Sequence, residues 1–528
     1  MGRHLTNNTT ALHEPVAVTI TGDAVTVGDY VRVEASGMGR RAVDGLSLAV
    51  QNTAAGVTAL AGLGSTAHVA AANYGSPGAS ARLLASLGNG NVACLHTGDG
   101  ATATTALTCR VYNQLKTLVA TVAVSTAANI TAARVCKLGA SNFAVCWTEG
   151  AALKMAVYSN AGAVVQATIA IATIGSGAAT GWSAAVLANN DLVLAYDKTA
   201  AGGVFFQRFN SAGALQGAET TIEAAVAGSN FCALALAAGG WWVYYYRSTA
   251  TAAYKFARYN ASGVLQGALT TVFTGAANLN GGVSDGYAIE LGNGNVALID
   301  PTTVTVSAVR LYDSAGTFLA TVTNHTGLTV GPNNTMIRAK TGGGFFMGVF
   351  GGLIAQYDNA GARVASSATV ITASAGGVVG MLLDRPATGP VIYYAYYDGS
   401  STGAVAAQAF DGTMVSEATA LTLQVTSSMS NALWAEILPC GLLAYTFASA
   451  QVTGVSAHGR AAPQAASVLG VAISAGSDGQ SVSVATAGRW RANQTMPAVN
   501  FDRRSSAPVG CKAVITGGTQ AVLLGIVA

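Results

Sequence analysis

Apolar and polar residues alternate along this chain in short runs, and each run ends at a cluster of Gly, Asn, Asp or Ser. Alternation with period two over four to eight residues is the pattern of a half-buried strand, and the punctuating residues are those that turns require. Residues 82–86, 91–96, 106–112 and 117–124 read as four such strands in succession. Four strands in a meander form the blade of a β-propeller.

The blade repeats. An aromatic residue followed by a turn recurs at Tyr112-Asn113, Tyr158-Ser159, Phe209-Asn210, Tyr259-Asn260, Tyr312-Asp313, Tyr357-Asp358 and Phe410-Asp411. The intervals between the aromatic positions are 46, 51, 50, 53, 45 and 53 residues, one blade each. Four copies continue identically in kind, as Asn210-Ser211-Ala212-Gly213, Asn260-Ala261-Ser262-Gly263, Asp313-Ser314-Ala315-Gly316 and Asp358-Asn359-Ala360-Gly361. Asn or Asp caps the turn, and Gly takes the left-handed conformation that closes it. Upstream lies a second signature, Leu87-Gly88-Asn89-Gly90-Asn91-Val92, echoed at Leu187–Leu192 and Leu291–Val296. Asn-Gly between apolar runs predicts a hairpin.

Leu187-Ala188-Asn189-Asn190-Asp191-Leu192-Val193-Leu194-Ala195-Tyr196, followed by Gln207–Gly213 and Gln216–Glu219, resembles the propeller repeat of large bacterial surface and secreted proteins and of phage fibres. The resemblance covers roughly residues 80 to 420, and its motifs form turns, so it implies a fold more than an activity. After the seventh turn, 432–437, 442–447 and 452–458 are three strands without a fourth, while Val57 to Gly62 is a strand without a blade. Joined, they predict a composite eighth blade that closes the ring and removes its exposed edges. The expectation is an all-β chain with about eight four-stranded blades over residues 46–460, seven being the alternative.

The ring is expected to interrupt a small β module formed by both chain ends, residues 15–45 and 461–528, preceded by a polar arm at 1–14. Gly28-Asp29-Tyr30-Val31-Arg32-Val33 on one side, and Val468-Leu469-Gly470-Val471-Ala472, Gly479–Val484 and Leu524–Ala528 on the other, resemble the module common in tailed-phage virion proteins. That resemblance implies a bacteriophage virion appendage or decoration protein, of the tail-fibre, tail-spike or head-fibre type. The ring has its own core and is expected to fold without the module.

Composition narrows the choices. Half the residues are apolar (51%) and 9% are charged, far from a disordered chain. The most apolar windows, 231–246 and 342–355, are interrupted by Gly pairs and are too short to span a membrane as helices. No aromatic girdles at regular spacing suggest an outer-membrane barrel. The first ten residues are polar with no long apolar run after them, so no secretory signal is expected. The net charge is +3 with scattered basic residues, which gives no footprint for nucleic acid. Arg489, Arg491, Arg503 and Arg504 form the only basic concentration and read as a solvated or interface face.

Seven cysteines without a CxxC pair argue against zinc and against a disulfide framework, although Cys136 and Cys146 lie where adjacent strands could bring them together. The six histidines show no metal-ligand spacing, and His96 reads as structural. There is no calcium loop, phosphate loop or GxSxG elbow, and Asp313 to Phe318 only approximates a sialidase box, its spacing off by one residue. With eight glutamates in the chain, the supply of acids for glycoside hydrolysis is thin. Neither catalytic, cofactor-binding nor metal residues are expected, and the chain is read as not an enzyme. The clusters Trp241–Tyr246 and Tyr393–Tyr397 suggest sugar stacking, but consecutive apolar residues are also what a strand sandwiched between blades requires, and core packing is preferred.

The expected role is a structural component of the virion, assembled in the host cytoplasm. Its partners would be other virion proteins, copies of itself and a host-surface glycan or receptor, with no nucleic acid and no membrane insertion. The alternative is a lectin-like bacterial surface adhesin.

Overall fold

The computed structural model describes residues 83–97, 106–112, 118–127, 129–174, 181–198, 202–249, 251–275, 287–300, 308–322, 335–340, 343–349, 354–366 and 414, and elsewhere the backbone of the strands named below. Seven four-stranded antiparallel meanders follow one another, and an eighth four-stranded sheet is assembled from both ends of the ring. Blades 1 to 7 occupy residues 84–125, 130–173, 182–224, 228–274, 288–322, 335–366 and 380–425. Blade 1 has its strands at Leu84–Ser86, Val92–Thr97, Leu107–Tyr112 and Leu118–Ser125, each within two residues of the expected position. The eighth sheet takes Ser430–Ile437, Leu442–Ala448 and Thr453–Arg460 from one end of the ring and Leu60–Ala61 from the other.

The first strand of every blade packs against the first strand of the next, and that of blade 8 packs against that of blade 1. This is a closed eight-bladed propeller with the first strands around its axis, and the seven-bladed alternative falls away. Solvent contact changes across a blade accordingly. The second strand Leu192–Asp197 is buried at every position, whereas the fourth strand Val164–Thr173 has no buried residue. Buried apolar clusters join blades 1 and 2, 2 and 3, and 3 and 4, and one further cluster runs through blades 4, 5 and 6. The core therefore lies between blades, which is why second strands are continuously apolar and only outer strands alternate.

Both turn signatures act as expected, with one refinement. In the Leu87 turn, Leu87 N–H donates to Asn91 O and Gly90 N–H to Leu87 O. Only Gly90 has positive φ, so the Asn-Gly pair forms a three-residue turn closed by a left-handed residue, not a two-residue mirror turn. At Leu187 the same place is held by Asn190 with φ 66°.

The Asn-x-x-Gly turn does two jobs. Asn260 Oδ1 accepts from Ser262 N and Val264 N at 3.0 and 2.9 Å, and Gly263 sits at φ 83°. The same turns are gripped by the preceding blade. Asn91 of blade 1 donates to Asn160 O, Asn142 of blade 2 to Ser211 O, Arg208 of blade 3 to Ala261 O and Arg258 of blade 4 to Ser314 O. Asn260→Ala removes two exposed acceptor contacts and is expected to destabilise by about 1 kcal/mol. A lower denaturant midpoint with an unchanged slope would show it.

By contact density the chain divides into two compact units, Ala59–Gly459 and a second formed by Met1–Thr58 with Arg460–Ala528. The second unit holds a five-stranded sheet ordered Val16–Thr19, Ser481–Ala485, Val468–Ala472, Tyr30–Val33, Gly39–Arg41, so strands from both chain ends alternate in it. Leu524–Ala528 fall in this second unit too. Leu524 and Gly525 end the strand Gln520–Gly525, which lies in a separate three-stranded sheet between Ala487–Arg491 and Lys512–Gly517. Apolar alternation specifies a strand and leaves open which of two neighbouring sheets it joins. The 1–14 arm, Arg503 and Arg504 lie outside the described residues, as do the side chains of Arg489, Arg491 and Tyr393–Tyr397.

Candidate functional site

The first strands of blades 3 to 6 line an open cavity of about 380 Å³ at the ring axis. Its wall consists of residues 184–186, 233–235, 288–290 and 338–339, mostly alanine, with Glu290 and Arg338 as the charged members. Small side chains are what a crowded axis permits when eight strands converge on it. Glu290 is already engaged, since its Oε2 accepts from Ala237 N of the blade 4 turn at 2.6 Å. The volume lies near the lower end of the range for small-molecule pockets, and convergent polar groups are few.

A denser set of charges lies between blades 3 and 4. Glu223, on the outer strand of blade 3, accepts from Lys255 Nζ at 2.5 Å, Arg247 Nη1 at 3.0 Å and Tyr245 Oη at 2.6 Å, all from blade 4. Burial alone pushes the Glu223 carboxyl up, but the hydrogen bonds from Lys255, Tyr245 and Arg247 outweigh it and hold the group below the usual carboxylate range. The same burial, with Glu223 beside it, pushes the Tyr245 hydroxyl far up, so the phenol stays protonated and donates. Related pairs are Lys154 with Glu149 at 2.7 Å in blade 2, Lys198 with Glu219 at 2.7 Å in blade 3 and Arg310 with the buried Asp300 in blade 5. Every carboxylate in the set is met by a cation, which is the arrangement of a structural joint.

The aromatic cluster of blade 4 belongs to the core. Trp241, Trp242, Tyr244 and Tyr245 are at most 1% exposed, and Trp241 stacks on Tyr259 at 4.4 Å while Trp242 stacks on Phe256 at 4.4 Å. No face of these rings is open to a sugar. His96 is buried, and burial with Arg110 nearby lowers its pKa to about 3, so it stays neutral. Cys136 and Cys146 lie on adjacent strands, but the register sets Cys136 opposite Ala144 and Cys146 opposite Arg134, a diagonal relation between buried thiols. Among the described residues no group of three His, Cys, Asp or Glu is placed to hold a metal ion. Likewise no helix there is long and apolar enough to cross a membrane.

The Glu223 cluster was missed by sequence reasoning because its members lie 22 to 32 residues apart and belong to different blades. The fifty-residue repeat carried the signal in principle, since an outer-strand residue of one blade must meet the middle strands of the next.

No protein-family model matches the chain, and no curated protein matches it. Solved structures of similar fold do. The Dos1 propeller is 10% identical with a TM-score of 0.46, the match covering 73% of this chain and 94% of that one. An ulvan lyase, a polysaccharide lyase, is 10% identical with a TM-score of 0.40 over 79% and 97% of the two chains. A prolyl endopeptidase is 13% identical with a TM-score of 0.42 over 72% of this chain and 54% of its own. These likenesses show the propeller fold alone. The expectation that the chain is not an enzyme is nevertheless corrected by them, because an ulvan lyase and an endopeptidase stand among the matches and the fold gives no ground for excluding catalysis. The physical reason is that a propeller scaffold leaves its loops and axis free to carry unrelated chemistries.

Proposed function

We propose that this chain is an appendage or decoration subunit of a tailed-bacteriophage particle, joined to the virion through its terminal sheets and displaying the ring outward. The observation that supports the reading most is the five-stranded sheet in which Val16–Thr19 and Tyr30–Val33 alternate with Ser481–Ala485 and Val468–Ala472, a complete propeller lying between them in sequence. A module split in this way keeps one attachment surface while carrying a large insert, because the chain enters and leaves the ring through the eighth blade. Its partners in this reading are other virion proteins, further copies of the chain and a host-surface glycan or receptor. Its location is the virion, assembled in the host cytoplasm.

The test is whether the protein belongs to particles. Gradient-banded phage from cells expressing the chain should contain it at a fixed ratio to the major capsid protein by mass spectrometry. Added to particles that lack it, the purified protein should co-sediment and saturate. Recovery only in the unbanded supernatant would sink the reading.

A further inference from the structure

Seven blades of the ring are continuous meanders, and the eighth is a joint. Its outer strand comes from the other end of the ring, and that strand is two residues long, Leu60–Ala61, against four to ten in blades such as Arg363–Ser366 and Val164–Thr173. A pairing of that length has few backbone hydrogen bonds to hold it. The chain on either side of the same joint, however, is paired again in the terminal sheet. Upstream of Leu60, Tyr30–Val33 pairs with Val468–Ala472, which lies downstream of Arg460, through Tyr30 with Val471, Val31 with Gly470 and Arg32 with Val468. Val16–Thr19 adds four more registered pairs with Ser481–Ala485.

We propose that the terminal sheet is the clasp of the ring, so that pairing of the chain ends holds Leu60–Ala61 in the eighth blade and keeps the propeller closed. The clasp acts through effective concentration, whatever particle or surface the chain belongs to. Gly39–Arg41 is the last strand of the terminal sheet before Leu60 and Val468–Ala472 the first after Arg460, so 18 residues lead to Leu60 and seven lead back to Arg460, counting between the strand ends. Docking of the short strand thus becomes a local intramolecular step, for which short tethers supply effective concentrations of order millimolar. In this reading closure is shared between the eighth blade and the terminal sheet. Anything that orders the terminal sheet tightens the ring, and by reciprocity a closed ring favours the sheet.

Hydrogen exchange on the full chain tests this. Val471→Pro removes a ladder donor from a strand paired on both sides and unzips the terminal sheet. Amides of Thr453–Arg460 and Leu84–Ser86 should then exchange about tenfold faster, while those of Trp241–Arg247, four blades away, keep their rates. Loss of protection in Tyr30–Val33 with unchanged exchange at Thr453–Arg460 would overturn the proposal. Should the variant fail to fold, a protease site inserted between Val50 and Gln51 allows the folded wild-type sequence to be cut afterwards. Faster exchange at the joint after cutting supports the clasp, and equal protection before and after cutting overturns it.

Discussion

Glu223→Ala is expected to destabilise the ring by roughly 3 to 5 kcal/mol, because it leaves Lys255 and Arg247 with their charges largely withdrawn from water and no carboxylate to meet them. Their side chains are 11% and 17% exposed. Glu149→Ala is the comparison, since its pair with Lys154 is more exposed and about 1 kcal/mol or less is expected. The pH dependence follows from the direction of the shift. The folded Glu223 carboxyl lies below its ordinary range, so its contribution is whole above the unfolded value, near ~4.3, and is lost as pH falls through the lower folded value. Denaturant titrations should show a constant difference between wild type and Glu223→Gln at neutral pH that shrinks below about pH 4. A variant as stable as Glu149→Ala would mean that solvent already screens the cluster.

Gly361→Ala should rank next, at about 2 to 5 kcal/mol, and it tests how blades are joined. Gly361 has φ 84°, a conformation that costs an L-residue about 1 to 2 kcal/mol. The added methyl would also run into Val322 Cγ2 and crowd Leu311 Cδ1 of the preceding blade, an overpacking worth about 1 to 3 kcal/mol. Gly217→Ala separates the two effects, because Gly217 has φ 87° and nothing within 4 Å of the new methyl. It should lose only the backbone strain. Equal shifts in unfolding midpoint for the two variants would show that the turn glycine serves its own hairpin and not the joint.

The amino-acid sequence by itself determined the local geometry of this protein. Turn chemistry acts over four or five residues, so Asn210 to Gly213 and its copies specified hairpins whatever surrounded them, and their spacing of about fifty residues specified the blade. Counting unpaired strands even located the composite eighth blade, since an edge left open must find a partner. Which surfaces the blades present to one another was decided only by the tertiary structure. That Glu223 meets Lys255, that Arg258 reaches Ser314, and that Gly361 leaves room for Val322 all depend on the rotation between neighbouring sheets, which no local pattern encodes. The axial cavity has the same origin, because Ala184, Ala233, Ala288 and Ala339 become one wall only when four separate first strands converge. That Gln520–Gly525 pairs with Ala487–Arg491 and Lys512–Gly517 and not with Val468–Ala472 was likewise left to packing, as an alternating strand specifies its faces and not its neighbour.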